Sequence, residues 1–273
     1  LKTIHEGYKS VIAVPYDIPI LGYDAKCINT LRLWQSKSPR DMDLFAFNRG
    51  EHVNAVGPKI EKEALSKVLY PEDNSYEGKR LRLKQYYFLT SATVQNIIGE
   101  LKGGYLIEEL PNRVAIQIND THPALVIPEL MRVLMDEEHL PWGDAWDITV
   151  RTCAYTNHTI MSEALERWSV SLLSEMLPRI YAIIREIDDR HVHQLKRLYP
   201  GQRERIDKMS IINYGQVNMA NLCIVGSHSV NGVSQLHGDI LKRSLFKDFY
   251  KLYPSKFRAI TNGISHRKWL VQA

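Results

Sequence analysis

The chain has 273 residues, 44% hydrophobic and 24% charged, with a formal net charge of +4; this is globular composition, long enough for a sizeable core, and it excludes a disordered or fibrous chain. Lys and Arg are interspersed with Asp and Glu rather than gathered into a stripe, so no nucleic acid partner is expected. Cys27, Cys153 and Cys223 form no C-x-x-C pair, which argues against a disulfide framework or a zinc ribbon and suits a cytoplasmic setting; no apolar run reaches the roughly 18 residues of a spanning helix, so no membrane partner is expected.

Residues 10 to 34 alternate apolar residues with turn signals through "VIAVPYDIPI" and "INTLRLW". They predict a β-rich region that Pro15 and Pro19 confine to edges or extended segments. In "GPKIEKEALSKVL", residues 57 to 69, Ile60, Ala64, Leu65 and Val68 recur at helical spacing before the turn-like "YPEDNSYEGK". That predicts an amphipathic helix followed by an exposed loop. "LKQYYFLTSATVQNIIGEL" carries Tyr87, Phe88, Val94, Ile97 and Ile98 on too many sides for a surface helix and predicts a buried one.

From residue 114 the pattern becomes rhythmic. Strands are predicted at "RVAIQI", "DITVRTCAYT", "SVNGVS" and "KFRAITNGI". Helices are predicted at "PELMRVLMDEE", "SEALERWSVSLLSEML", around "IYAIIREIDD", at "VNMANLCIVG" and at "QLHGDILKR". Alternation of this kind, with short apolar strands, predicts an α/β fold: a parallel sheet with helices on both faces. With no linker and no repeat, one continuous domain is the default.

In such sheets ligands sit at the carboxyl ends of the strands, and three predicted ends carry similar groups: "NDTHP" at 119–123, "YTNHT" at 155–159 and "ITNGIS" at 260–265. In the first, Pro128 suits the first helical position, which leaves a connection of about eight residues, long enough to suggest function. Two readings stand open. Asp120 and Thr121 fit an Asx-turn and capping cluster that leaves His122 unexplained, and Asn157 and Thr159 fit a similar one around His158. Alternatively the loops together line a site.

A metal rim of His122, His158, His228, His237 and Asp120 is the first alternative for such a site, but no H-E-x-x-H occurs, and His191 and His193 lie two apart in a helical stretch, facing different sides. "GSHSVNG" lacks the nucleophile-elbow glycines, and no phosphate-cradling glycine loop is present. A rim of Asn, Thr, His and Tyr suits a polyhydroxylated ligand, whose hydroxyls both donate and accept.

The runs "TLRLW", "KVLYPEDN", "EGKRLRLKQYYF", "VAIQINDTHPALVIPELMRVLMD", "RTCAYTNHT", "EALERW", "NMANLCIVGSHSVNGVSQLHGDILK" and "TNGISHRKWL", in this order, resemble the α-glucan phosphorylases, the glycogen and maltodextrin phosphorylase family. The resemblance implies a GT-B glycosyltransferase that takes terminal glucose from α-1,4-glucans with inorganic phosphate, yielding glucose 1-phosphate. It implies pyridoxal phosphate as cofactor, with the cofactor's lysine and the phosphate-holding residues outside this chain. Residues 1–262 would be an internal part of the N-terminal domain and 263–273 the start of the crossover to the next. Alone, such a segment would be inactive; a non-catalytic glucan-binding module is the alternative.

By the same resemblance, His158 is similar to the catalytic-site histidine whose backbone carbonyl faces the transferred glucose, and Asn262 to the asparagine at that sugar's 6-hydroxyl. Asp73 and Asn74 match the mobile gate loop. Tyr70, Arg82, Asp120 and His122 match groups lining the sugar channel, and Val233 a residue whose backbone packs near the glucose. The helix at 57–69 corresponds to one that reaches a partner subunit, which implies a homodimer. Gly99 and Glu100 stand where animal members carry adjacent arginines, so the animal type of allosteric switch is not expected.

Overall fold

The computed structural model describes residues 6–22, 24 and 26–263, and the chain divides between Asn96 and Ile97 into two compact units. In the first unit, β1 (Ile12–Ile20) and β2 (Asn29–Lys37) form an antiparallel ribbon with Tyr16 opposite Leu33 and Ile18 opposite Leu31. Pro15 and Pro19 are accommodated because each strand of a two-stranded ribbon has an unpaired edge. Asp17 lies opposite Arg32, whose Nε and Nη2 donate to the two carboxylate oxygens at 2.7 Å each. These bonds hold the Asp17 carboxyl below its ordinary pKa.

Helix α1 (Leu44–Asn48) is capped by Asp43, whose side chain accepts from the N–H groups of Phe45 and Ala46. Helix α2 (His52–Glu63) is followed by a 3-10 turn, Ala64–Ser66. This corrects the helix expected at 57–69: it starts earlier, takes Pro58 inside, and tightens after Glu63. Tightening to three residues per turn moves later side chains off the α-helical face, so Leu65 is buried while Val68 is 65% exposed; Ile60 is exposed as well.

Helix α3 (Tyr76–Lys102) starts at Ser75, whose hydroxyl accepts from the Gly78 N–H at 3.0 Å. Its buried apolar positions Leu83, Val94, Ile98 and Leu101 follow one stripe, and Tyr87 and Phe88 are half-buried, so the helix is not buried all round as its composition suggested. Gln85, buried in the same helix, donates from Nε2 to the carbonyls of Leu65 and Val68 at 3.0 and 2.7 Å. A buried side-chain amide thus supplies the donors that the loop after α2 lacks.

The second unit continues with α4 (Leu110–Arg113), β3 (Ile116–Asn119), α5 (Val126–Arg132), α6 (Trp142–Thr152), β4 (Cys153–Thr156) and β5 (Arg167–Ser169). It goes on through α7 (Val170–Met176), α8 (Pro178–Leu198), α9 (Arg203–Met209), β6 (Ile212–Asn213), β7 (Gln216–Asn218), α10 (Met219–Val225), β8 (Ser229–Gly232), α11 (Gln235–Ile240), α12 (Lys247–Leu252) and β9 (Phe257–Ala259). Strands β3, β4, β8 and β9 are neighbours in that order and all parallel, as the alternation predicts. One register row, Ile118, Tyr155, Val230 and Phe257, crosses all four strands and is buried throughout.

Three predicted elements are redrawn, among them "KFRAITNGI", which is a strand only over Phe257–Ala259, so that "ITNGIS" starts past the strand end. "DITVRTCAYT" is a strand only from Cys153; Asp147 to Thr152 finish α6, where Ala145, Ile148, Thr149 and Thr152 are buried at helical spacing. The β-branched residues disguised a helical period as a strand. "SEALERWSVSLLSEML" breaks into a 3-10 turn, β5 and α7, because β5 pairs with β7, Trp168 opposite Val217, in a small antiparallel sheet. Tertiary pairing there overrides local helix propensity.

Two glycines let α11 close on the sheet. A Cβ at Gly232 would lie 2.9 Å from the Gly238 nitrogen, and one at Gly238 would lie 2.8 Å from the Ala259 Cβ. Only the absence of side chains permits this approach of helix backbone to β8 and β9.

Candidate functional site

The carboxyl ends of β3, β4 and β8 meet in a hydrogen-bonded rim. The Asp120 N–H extends the β3–β4 ladder by donating to the Thr156 carbonyl at 2.9 Å, and the Asn157 N–H donates to the Asn231 carbonyl at 2.9 Å. The Thr156 hydroxyl accepts from Gln117 Nε2 at 2.8 Å and donates to Asn231 Oδ1 at 2.9 Å, a polar chain across three strands.

Asp120 turns the chain out of β3 with φ of 62°, a left-handed conformation that Asp tolerates when its side chain bonds locally. Its carboxylate accepts from the Thr121 N–H at 2.7 Å, and the buried Thr121 hydroxyl donates to Glu166 Oε2 at 2.9 Å. Turns follow, with Ala124 N–H to the Thr121 carbonyl and Val126 N–H to the Pro123 carbonyl. The connection is therefore shorter than expected and wound rather than open, because α5 starts at Val126 and takes Pro128 as its third residue. His122, at the turn, is exposed.

His158 is exposed, and its Nε2 lies 2.6 Å from the Asn119 amide oxygen. An amide oxygen only accepts, so the ring proton sits on Nε2. Behind it, Asn157 is fully buried: its Nδ2 donates to the Tyr155 hydroxyl at 3.0 Å and its Oδ1 accepts from the Thr159 N–H at 3.1 Å. Turn chemistry thus accounts for Asp120, Thr121 and Asn157, and the same turns set His158 and His122 at the surface of the rim.

The Val233 N–H, just past β8, donates to His237 Nδ1 at 3.2 Å, and the Ile260 N–H donates to the Gly232 carbonyl at 3.0 Å. Asn262 follows β9 in an exposed, irregular stretch. Ile264 to Ala273, and so most of the expected crossover and all of "SHRKW", lie outside the described residues.

In the first unit, Tyr70, Asp73 and Arg82 cluster. The Arg82 guanidinium lies 3.2 Å from the Asp73 carboxylate and stacks 5.3 Å from the Tyr70 ring centre. Tyr70 has φ of 54°, a strained value for a bulky residue, while Asn74 donates to Glu72 Oε1 at 2.8 Å. The loop is pressed on the start of α3: a Cβ at Gly78 would overlap the Glu72 carbonyl oxygen.

Other chemistries find little support. Among the described residues no three His, Cys, Asp or Glu side chains gather to hold a metal ion, and Ser227 of "GSHS" is buried. Cys153 and Cys223 are buried thiols, with burial raising Cys153 to about 12. Lys256 has the depressed pKa, about 8, that a cofactor-binding amine needs, yet its Nζ is committed to the carbonyls of Ile224 and Val225 at the end of α10. Lys256 therefore does not fit as the pyridoxal phosphate lysine. A concavity of about 500 Å³ lined by Asp188, Lys196, Arg203 and Asp207 belongs to α8 and α9, not to the strand ends, and its charges are mixed.

Sequence reasoning missed Glu166 and Asn231, quoted Asn119 only within "NDTHP" and weighed His237 only as a metal ligand. Partners 39 to 78 positions away complete these contacts, and only the tertiary fold brings them together.

A helix-flanked parallel four-stranded sheet with a polar, hydrogen-bonded rim at its carboxyl edge defines an α/β protein. The sequence matches the carbohydrate phosphorylase family over residues 1–273, and the chain belongs to that family. It is 50% identical, over 96% of its length, to the brain form of glycogen phosphorylase from Ovis aries, the brain form from Rattus norvegicus and the muscle form from Homo sapiens. The chain spans about a third of the length of these relatives (32 to 33%). Its fold is accordingly part of a GT-B glycosyltransferase domain.

Proposed function

We propose that this chain supplies the sugar-channel wall of an α-glucan phosphorylase, which transfers terminal glucose from α-1,4-glucans to inorganic phosphate as glucose 1-phosphate. The observation that carries this reading is the bonded rim at the ends of β3, β4 and β8, in a chain 50% identical to glycogen phosphorylases. His158, Asn262 and Val233 face the transferred glucose; Asp120 and His122 line the channel in the second unit, and Tyr70, Asp73, Asn74 and Arg82 form the gate loop in the first. Their roles are to bind and orient sugar hydroxyls, through which positioning lowers the barrier.

Pyridoxal phosphate is the cofactor this reading implies for the full-length protein, and it supplies a phosphate for proton transfer when bound. No step proposed for the present residues runs through it. The 273-residue chain alone is inactive on this reading, with residues 1–262 in the N-terminal domain and 263–273 opening the crossover. The exposed Ile60, Val68 and Leu69 support a homodimer contact through the segment at 57–69. No helix among the described residues is long and apolar enough to cross a membrane, and a cytoplasmic setting fits the free cysteines.

The test is phosphate-dependent release of glucose 1-phosphate from maltodextrin by the full-length protein. Glucan binding without release would favour a non-catalytic binding module instead, and sedimentation as a monomer would remove the dimer contact.

A further inference from the structure

The imidazole of His237 touches two loops at once. Its Nδ1 accepts the Val233 N–H at 3.2 Å, and its Nε2 lies 3.1 Å from the Thr159 carbonyl oxygen. These contacts fix the ring chemically: Nδ1 must present a lone pair to the Val233 N–H, so the single proton of a neutral ring sits on Nε2 and is donated to Thr159. An imidazolium or an Nδ1–H ring would set a donor against a donor at Val233.

The ring is also fixed mechanically. His237 is 7% exposed and stands in the first turn of α11, where the Ser234 hydroxyl accepts its backbone N–H at 3.1 Å. Gly232 and Gly238 remove the side chains that would hold α11 away from β8 and β9. A buried ring on a helix jammed against the sheet has little freedom to leave its two partners.

We propose that His237 is a positioning residue that clamps the turn carrying Val233 to the loop carrying His158 and Thr159, so that the two backbone segments facing the transferred sugar keep one spacing. This inference rests on the functional reading above and deepens it. Val233 and His158 are assigned to the sugar through their backbones, and a backbone cannot be held by its own rotamer. A device that bonds the N–H of one segment and the carbonyl of the other supplies that restraint. The clamp touches no reacting atom.

Two substitutions separate the arms. His237→Asn keeps an acceptor near the Nδ1 position but cannot reach Thr159; His237→Gln keeps a donor near the Nε2 position but offers Val233 no acceptor. In the full-length protein, both variants are expected to lower kcat for phosphorolysis about ten-fold or more, with the KM for maltodextrin within about two-fold, because displacement by a fraction of an ångström at the reacting sugar penalises the transition state more than distant glucan contacts. Full kcat in either variant overturns the clamp, and so does an equal rise in KM without a fall in kcat.

A second readout does not depend on activity. Two-bond ¹H–¹⁵N spectra of full-length protein labelled at histidine nitrogens should give His237 an unprotonated Nδ1 and a protonated Nε2, and a proton on Nδ1 overturns the clamp. If the parent protein releases no glucose 1-phosphate, the functional reading fails, while the spectra still decide whether the ring joins the two loops.

Discussion

The Nε2 of His158 lies 2.6 Å from the amide oxygen of Asn119, so the side chain of the histidine assigned to the sugar is tied to the end of the neighbouring strand. Removing that acceptor by Asn119→Ala is expected to lower kcat/KM of the full-length protein about ten-fold while costing only about 1 kcal/mol of stability, the worth of one accessible hydrogen bond. Parallel phosphorolysis assays and urea titrations measure both. Unchanged kinetics would mean that the bond decorates the rim without orienting it.

Asp120 combines a φ of 62° with a carboxylate that accepts the Thr121 N–H. Asn tolerates the same backbone and keeps the acceptor, whereas Ala does neither. Asp120→Ala should lose about 1–3 kcal/mol and Asp120→Asn less than half of that. Equal losses in thermal denaturation would refute the turn account.

The glycines make a paired prediction. Gly232→Ala drives a Cβ to 2.9 Å from a backbone nitrogen and should cost about 1–3 kcal/mol. Gly99→Ala, inside α3 with nothing within 4 Å of the added methyl, should stabilise by about 0.5–1 kcal/mol. Opposite shifts in Tm are the signature to look for.

His191 gives the pH dependence a sign. Burial lowers its pKa from 6.5 to about 4, so the unfolded chain takes up its proton first as pH falls. The stability it contributes is complete above pH 6.5 and is lost progressively towards pH 4, on the order of 3 kcal/mol. Asp188, one turn earlier on α8, opposes this: burial raises its pKa from 3.8 to about 6, so its penalty grows as pH rises through that interval. The two contributions nearly cancel between pH 6 and pH 4, so His191→Gln should leave Asp188 unopposed and raise the variant's stability relative to the parent as pH falls. An unaltered pH dependence in urea titrations from pH 7 to pH 4.5 would show that His191 is not the group responsible.

The sequence by itself determined the α/β class, the strand end at Thr156 and, through its ordered runs, the family. Short apolar strands between turn-forming residues leave a signature in local spacing, and so do long matching runs. Tertiary structure alone decided that Asp147 to Thr152 finish a helix and that Arg167 to Ser169 form a strand, since β-branched composition and helix propensity both yield to pairing and burial. It also decided which polar groups share the rim. His237 and Thr159 are 78 residues apart, and only the register of β4 beside β8, with two glycines admitting α11, puts the ring between them. A contact of that kind depends on a chain path through three dimensions, which no local pattern encodes.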